Sequence, residues 1–277
     1  MNTKIQNDIA RAGLWTVGIF ILALLAAFLG YILYKGLPVL NWHFIFGKSS
    51  DIMAGGGVGA QLFNSFYMLF LSMAVSIPLA IGAGIYLAEY ARENRLTKCI
   101  RLSVESLATV PSIVLGLFGM IIFVNEMHLG FSILGGSLTL VLLNLPMLVR
   151  VTEESIKTVP KSYEEASLAL GATKWQTIYK VILRVASPRI MTAVIFGMAR
   201  AFGEALAVQM VIGNAVLMPA NLVSPSATLT SQLTSQMGNT VMGTLPNNAL
   251  WSLALLLLIM SLVFNFLVRL IGKRGQK

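Results

Sequence analysis

Two arginine–carboxylate pairs stand in or beside otherwise apolar stretches of this sequence, Arg150 with Glu153 and Arg200 with Glu204. Spaced three and four residues apart, the members of each pair share one face of a helix. A charge at mid-bilayer costs roughly 2.5–3.5 kcal/mol on insertion scales, so something must offset it. One reading is self-neutralisation within each pair. The other is a hydrated path in which the arginines bind an anion and the carboxylates hold them ready. A guanidinium suits a tetrahedral oxyanion because its planar fork donates two parallel hydrogen bonds. Spacing leaves both readings open.

Nothing else in the sequence points to bond chemistry. No nucleophile–base signature occurs, and His43 and His128 have no ligand-spaced partners, so no metal site is expected. Cys99 is the single cysteine and reads as a buried spectator thiol. Gly47-Lys48-Ser49-Ser50 is similar to the end of a nucleotide-binding loop, but Trp42 stands where that motif requires glycine. No ATP site is therefore expected in this chain. Gly55-Gly56-Gly57 reads as a flexible entry to a helix, and Asn125, Glu126 and Asn144 as polar span ends or bundle contacts.

The elements that must position the arginine pairs are membrane helices. Of 277 residues, 56% are hydrophobic and 11% charged, and the mean hydropathy is +0.79. Soluble domains carry about 25% charged residues. Six stretches have the roughly 20 apolar residues that a bilayer-spanning helix needs: 14–34, 62–87, 104–124, 131–151, 190–212 and 250–271. Residues 14–271 form one domain, flanked by tails at 1–13 and 272–277. The first stretch is too long for a signal h-region and lacks a small-residue cleavage site, so it is expected to be retained. Segments 1–13, 91–101, 154–189 and 272–277 hold fifteen of the twenty Lys and Arg residues, and 213–247 holds no charge at all. The positive-inside rule then puts both termini in the cytoplasm. The net charge of +9 is an orientation and lipid-headgroup signal, not a nucleic-acid footprint. The uncharged 213–247 segment is expected to contain a short or re-entrant helix near 227–241.

The largest connection on the basic side, 154–189, has its own design. Ser162 and Glu165 fit a capping box after Pro160, predicting a helix over 163–170. Gly171 suits the left-handed position that ends it. Thr173 and Gln176 fit a second, weaker box, and Trp175, Ile178, Tyr179 and Ile182 then recur at helical spacing. Physics alone allows an interfacial hairpin lying on headgroups or a rigid docking element for a soluble partner.

Glu165-Ala166-Ser167-Leu168-Ala169-Leu170-Gly171-Ala172, with Val181-Ile182-Leu183 beyond, resembles the EAA loop of ABC-importer permeases, with Arg184 in place of the usual proline. Segments 84–90, 110–119 and 166–178 look like phosphate permeases of the PstA/PstC type. Residues 54–59 and 150–154 lean to PstA; 200–208 with Gly213-Asn214 lean to PstC. The resemblance implies an all-α, MetI-like bundle of six transmembrane helices in the bacterial inner membrane, with a cytoplasmic coupling hairpin at about 162–182. It implies that Glu165, Ala166, Gly171 and Ala172 couple to an ATPase, and that Arg150, Glu153, Arg200 and Glu204 line a phosphate path. The partners it implies are a homologous second permease, two ATP-binding subunits that use ATP and Mg, and an extracytoplasmic phosphate-binding protein. Molybdate or sulfate is the neighbouring substrate class; an ATP-independent channel or secondary transporter would not need the hairpin.

Overall fold

The computed structural model describes residues 3–47, 56–241 and 244–274. The Lys48–Ser50 motif and the first glycine of the 55–57 run lie outside the described residues. The regular structure is helical: α1 (Thr3–Gly36), α2 (Trp42–Phe46), α3 (Gly59–Ile85), α4 (Arg95–Thr109), α5 (Ser112–Gly119), α6 (Ile133–Lys157), α7 (Lys161–Ala169), α8 (Lys174–Thr177), α9 (Leu183–Gly203), α10 (Leu206–Ile212), α11 (Leu229–Gln236) and α12 (Leu245–Arg274). π-helical turns extend α3 over Tyr86–Tyr90 and α5 over Met120–Glu126, and join α8 to α9 over Ile178–Ile182.

Among the described residues, five helical runs are long and apolar enough to cross a membrane: Ala10–Gly36, Gly59–Tyr90, Ile133–Lys157, Lys174–Gly203 and Pro246–Leu270. The sixth expected span, 104–124, is not one rod. Arg95–Thr109 and Ser112–Glu126 meet at 102°. At the break Val110, which precedes Pro111, is extended (ψ 132°), the conformation that a proline ring favours in its predecessor. The fifth span also differs from the expected 190–212. Its helix begins in the hairpin at Lys174 and stops at Gly203, and the extended Glu204 (ψ 124°) separates it from α10.

The bundle is centred on α3 against α6, which run in parallel. A methyl group on Gly84 would sit 2.6 Å from the Thr152 side chain, and one on Gly136 3.1 Å from Met68 Sδ. Small residues let membrane helices approach this closely. The stagger is the same at both contacts, which sets Pro78 of α3 level with Pro146 of α6. Gly116 of α5 meets the Ala207 backbone of α10 in the same manner. α1 leans on α12, with Ser252 Oγ donating to the Gly36 carbonyl at 2.7 Å and Tyr31 edge-on to Trp251. Its remaining faces, including Ile19, Phe20 and Leu22, are exposed.

The segment after α10 closes the end of the bundle opposite the hairpin by completing α6. The first N–H groups of a helix lack intrahelical partners. Here Ser132, Ile133 and Leu134 donate to the carbonyls of Val211, Ser224 and Leu222, and Gly135 donates to Ser132 Oγ. Asn64 Nδ2 pins the same segment through the Leu217 and Ala227 carbonyls, both at 3.1 Å. The expected short helix is α11, opened by a Thr228–Ser231 capping box, with Leu229, Ser231 and Gln232 buried.

The α3–α6 contact yields a direct expectation. Gly84→Ala forces the helices apart and should destabilise the protein by about 1–3 kcal/mol, the usual cost of overpacking. Gly84→Ala with Thr152→Gly should recover most of that loss, read as the thermal unfolding midpoint in detergent.

Candidate functional site

The hairpin end of the bundle carries most of the ionised side chains. α7 and α8 form the hairpin, turning at Gly171 (φ +85°). The turn is a complete Schellman closure: Gly171 N–H donates to the Leu168 carbonyl and Ala172 N–H to that of Ser167. α8 opens with the second capping box, Thr173 and Gln176 each satisfying the other's backbone. The first box does not form. Pro160 (φ −58°) occupies the cap position and Lys161 already starts the helix, which places the Ser162 hydroxyl inside the first turn. Ser167 Oγ bonds Thr177 Oγ1 at 2.9 Å across the hairpin. Glu165 and Ala166 are exposed on α7, and Leu170 is 89% exposed at the tip, with Trp175 and Tyr179 also open.

Lys174 fastens the hairpin to the end of α3. Its Nζ donates to the Glu89 carbonyl at 2.6 Å, lies 3.9 Å from the Glu89 carboxylate and sits 5.0 Å from the Tyr90 ring centre. Four residues on from Glu89, the loop supplies Glu93, which bonds Arg101 Nη1. That hydrogen bond holds the Glu93 carboxyl below its ordinary pKa. The contact therefore contributes above the normal carboxylate range and is lost as pH falls through the lowered value.

Arg150 and Glu153 do not neutralise one another. Glu153 turns to Arg101 Nε (2.7 Å) and to Lys157 Nζ (2.6 Å). Arg150 donates from Nε to Glu154 and from Nη1 to Glu105, both at 2.9 Å. Arg101 also reaches the Leu87 carbonyl at 3.1 Å. α4 and α6 are thus laced by two crossed pairs of opposite polarity, Arg101–Glu153 and Glu105–Arg150. These side chains line a cavity of about 240 Å³ with Leu87, Val104 and Lys157.

Arg200 and Glu204 are also separated. The helix ends at Gly203, so the four-residue spacing no longer places them on one helical face. Glu204 instead accepts from the Ala207 N–H at the start of α10 (3.3 Å), and its carbonyl receives Thr230 Oγ1 (2.8 Å). Arg200 is exposed in the last turn of α9. Gly197 packs over Leu148, so Arg200 lies roughly 7–8 Å further from the hairpin end than Arg150, at 1.5 Å per residue. A further cavity of about 670 Å³ at the opposite end is lined by apolar groups such as Phe46, Phe63, Phe66 and Leu217. Among the described residues, no charged side chain lines it.

Sequence reasoning missed Arg101, Glu105, Glu154 and Lys174. A signal for the first two was present, since Arg101 and Glu105 are four apart in a stretch that an apolar span would not carry. Cys99, expected to be buried, is exposed on α4. Among the described residues, no group of three or more His, Cys, Asp or Glu side chains could hold a metal ion.

Comparison with known proteins gives consistent matches. The family described as "Binding-protein-dependent transport system inner membrane component" matches residues 80–277. The probable ABC transporter permease protein YqgI of Bacillus subtilis (strain 168) is 46% identical over 77% of this chain and 72% of its own. The phosphate transport system permease protein PstA of Xylella fastidiosa (strain 9a5c) is 38% identical over 61% of this chain and 59% of its own. Among solved structures, an inward-facing form of the MetNI methionine ABC transporter superposes with a TM-score of 0.59 at 22% identity, covering 83% of this chain and 100% of the other.

The cluster predicts an asymmetry between its two arginines. Arg101→Gln strips the largely buried Glu153 of its α4 partner and should cost on the order of 1–3 kcal/mol. The Arg101→Gln/Glu153→Gln double variant should recover part of that cost, and a double-mutant cycle on thermal midpoints measures the coupling. Arg150→Gln, at an exposed pair, should leave the midpoint nearly unchanged.

Proposed function

The chain belongs to the family of binding-protein-dependent transport system inner membrane components, and from that premise we propose that it conducts inorganic phosphate as one permease subunit of an ABC importer. Subunits of this kind are not catalytic by themselves; the ATPase is a separate chain. The observation that carries the oxyanion reading is Arg150, whose guanidinium offers Nε and Nη1 to acceptors at the edge of a cavity that also holds Arg101 and Lys157. The likeness to a relative named as a phosphate permease supports phosphate as the anion. Arg200, exposed and nearer the middle of the bundle, is the second arginine on the proposed path, with Glu153 and Glu204 holding the surrounding helices in place.

In this reading the termini and the hairpin face the cytoplasm. A binding protein delivers phosphate from outside, and a second, homologous permease completes the pathway. One of two ATP-binding subunits receives the exposed tip formed by Leu170, Trp175 and Tyr179, with Glu165, Ala166, Gly171 and Ala172 shaping the hairpin that is seated there. A hairpin locked by a Schellman turn, a capping box and the Ser167–Thr177 bond moves as a unit. Through Lys174 it pulls on the end of α3, so closure of the ATPases reaches the ion cluster.

Two outcomes test this reading. In vesicles carrying the complete complex, ATP-dependent uptake of radiolabelled phosphate should fall at least tenfold in Arg150→Gln and in Arg200→Gln, with the complex still assembled. Unaltered uptake in both would exclude the arginine path. Gly171→Ala puts a side chain in the left-handed region, at about 1–2 kcal/mol, and should lower uptake per ATP hydrolysed without changing the amount of membrane-inserted chain.

A further inference from the structure

The charges around the 240 Å³ cavity balance. Arg101, Arg150 and Lys157 face Glu105, Glu153 and Glu154. An anion entering this balanced cluster finds no net attraction and no free guanidinium edge unless a carboxylate leaves. The space is sufficient for a small anion with water, since water occupies roughly 30 Å³ per molecule. A tetrahedral oxyanion takes the Nη1/Nη2 edge of a guanidinium with two oxygens of one ligand. In this structure Nη1 of Arg150 is held by Glu105 from α4, while Glu154 of the arginine's own helix holds Nε, on the other side of the group.

The three carboxylates are not equally free to leave. Glu153 is 10% exposed, bound by Arg101 and Lys157. Glu154 is 58% exposed but lies four residues from Arg150 on the same helix and bonds Nε, so it leaves the Nη1/Nη2 edge open and its departure releases no other helix. Glu105 is also 58% exposed and sits on α4, a helix whose side chains are mostly exposed. α4 ends at the extended Val110 ahead of Pro111, a joint at which the helix is not continuous with α5. Near its middle, one turn before Glu105, it is held by Arg101, which has three acceptors: Glu93, Glu153 and the Leu87 carbonyl.

Resting on the oxyanion reading above, we propose that Glu105 is a displaceable stand-in for the transported anion. The oxyanion replaces the Glu105 carboxylate on Arg150 and thereby unlatches the 105–110 end of α4 from α6, while Arg101 remains the pivot. Glu105 is a positioning residue: it does not touch the anion but gives up the site to it. Presence of substrate is thereby converted into a movement of the helix that joins the bent span.

The test is a spin-label distance measurement on the complete complex in nanodiscs. Cys99→Ser removes the native thiol, Ser106→Cys marks the moving end of α4, and Val185→Cys marks α9. Ser106 lies about 7.5 Å along the helix from the Arg101 pivot at 1.5 Å per residue, so inorganic phosphate should lengthen the distance by roughly 2–3 Å for a turn of about 20°. Glu105→Gln should show the longer distance with no anion present and no further change on adding phosphate. Glu154→Gln, on the helix of Arg150, should keep the short distance until anion is added. Lengthening by sulfate or molybdate but not phosphate would support the exchange and remove phosphate as its substrate. If none of the three anions moves α4 in the otherwise unaltered chain, or if Glu105→Gln keeps the short distance, the exchange is wrong.

Discussion

The close approach of α3 and α6 is the constraint from which the hairpin end of this molecule follows. At Gly84 the α3 backbone lies against Thr152, and a methyl group there would stand 3.1 Å from the backbone nitrogen of Glu153. With no side chain between them, the end of α3 and the carboxylate of Glu153 come within reach of a single guanidinium. Arg101 therefore bonds the Leu87 carbonyl and Glu153 together. A larger residue at position 84 would separate these acceptors, and α4 would lose the anchor near its middle.

The 86–93 segment is the junction of the chain. It receives Lys174 from the hairpin at Glu89, and gives the Leu87 carbonyl and the Glu93 carboxylate to α4. A π-helical turn ends α3 here, and another joins the hairpin to α9 at Ile178–Ile182. Such turns shift the hydrogen-bond register locally and recur at functional positions. The hairpin is thus joined to the ion cluster by polar contacts through the end of α3, with the apolar Ile178 and Ile182 packed beside them.

Much of this was legible in the sequence, because it depended on local physics. Apolar stretch length gave the spans, Gly171 marked the hairpin turn, and Thr173 with Gln176 marked the start of α8. The readings that failed were of two kinds. The 104–124 stretch reads as one span because nothing local distinguishes a proline that a membrane helix absorbs, as Pro78 and Pro146 are, from Pro111, where the chain turns by 102°. The self-neutralising reading of the arginine pairs failed because helical spacing ranks only neighbours on the same helix. Arg150 kept a local partner in Glu154 and added Glu105, which is 45 residues away. Glu153 took Arg101, and Glu204 left the helix of Arg200 altogether. An ion pair is settled by which opposite charge the fold brings nearest, and that information is tertiary.

Pro78 and Pro146 stand at the same height on two helices that run side by side. Proline has no N–H, so each removes one rung from its helix ladder and leaves the carbonyl four residues earlier without that partner. Close by on the same helices, Ser76 Oγ and both amide atoms of Asn144 are buried without a hydrogen bond. The stiffest pair of rods in the bundle therefore shares one compliant section, between the half braced by the 213–228 segment and the half laced by the arginines. Because both rods soften at one level, they flex together like two beams notched at the same point, and the seam between them stays closed while the two halves tilt.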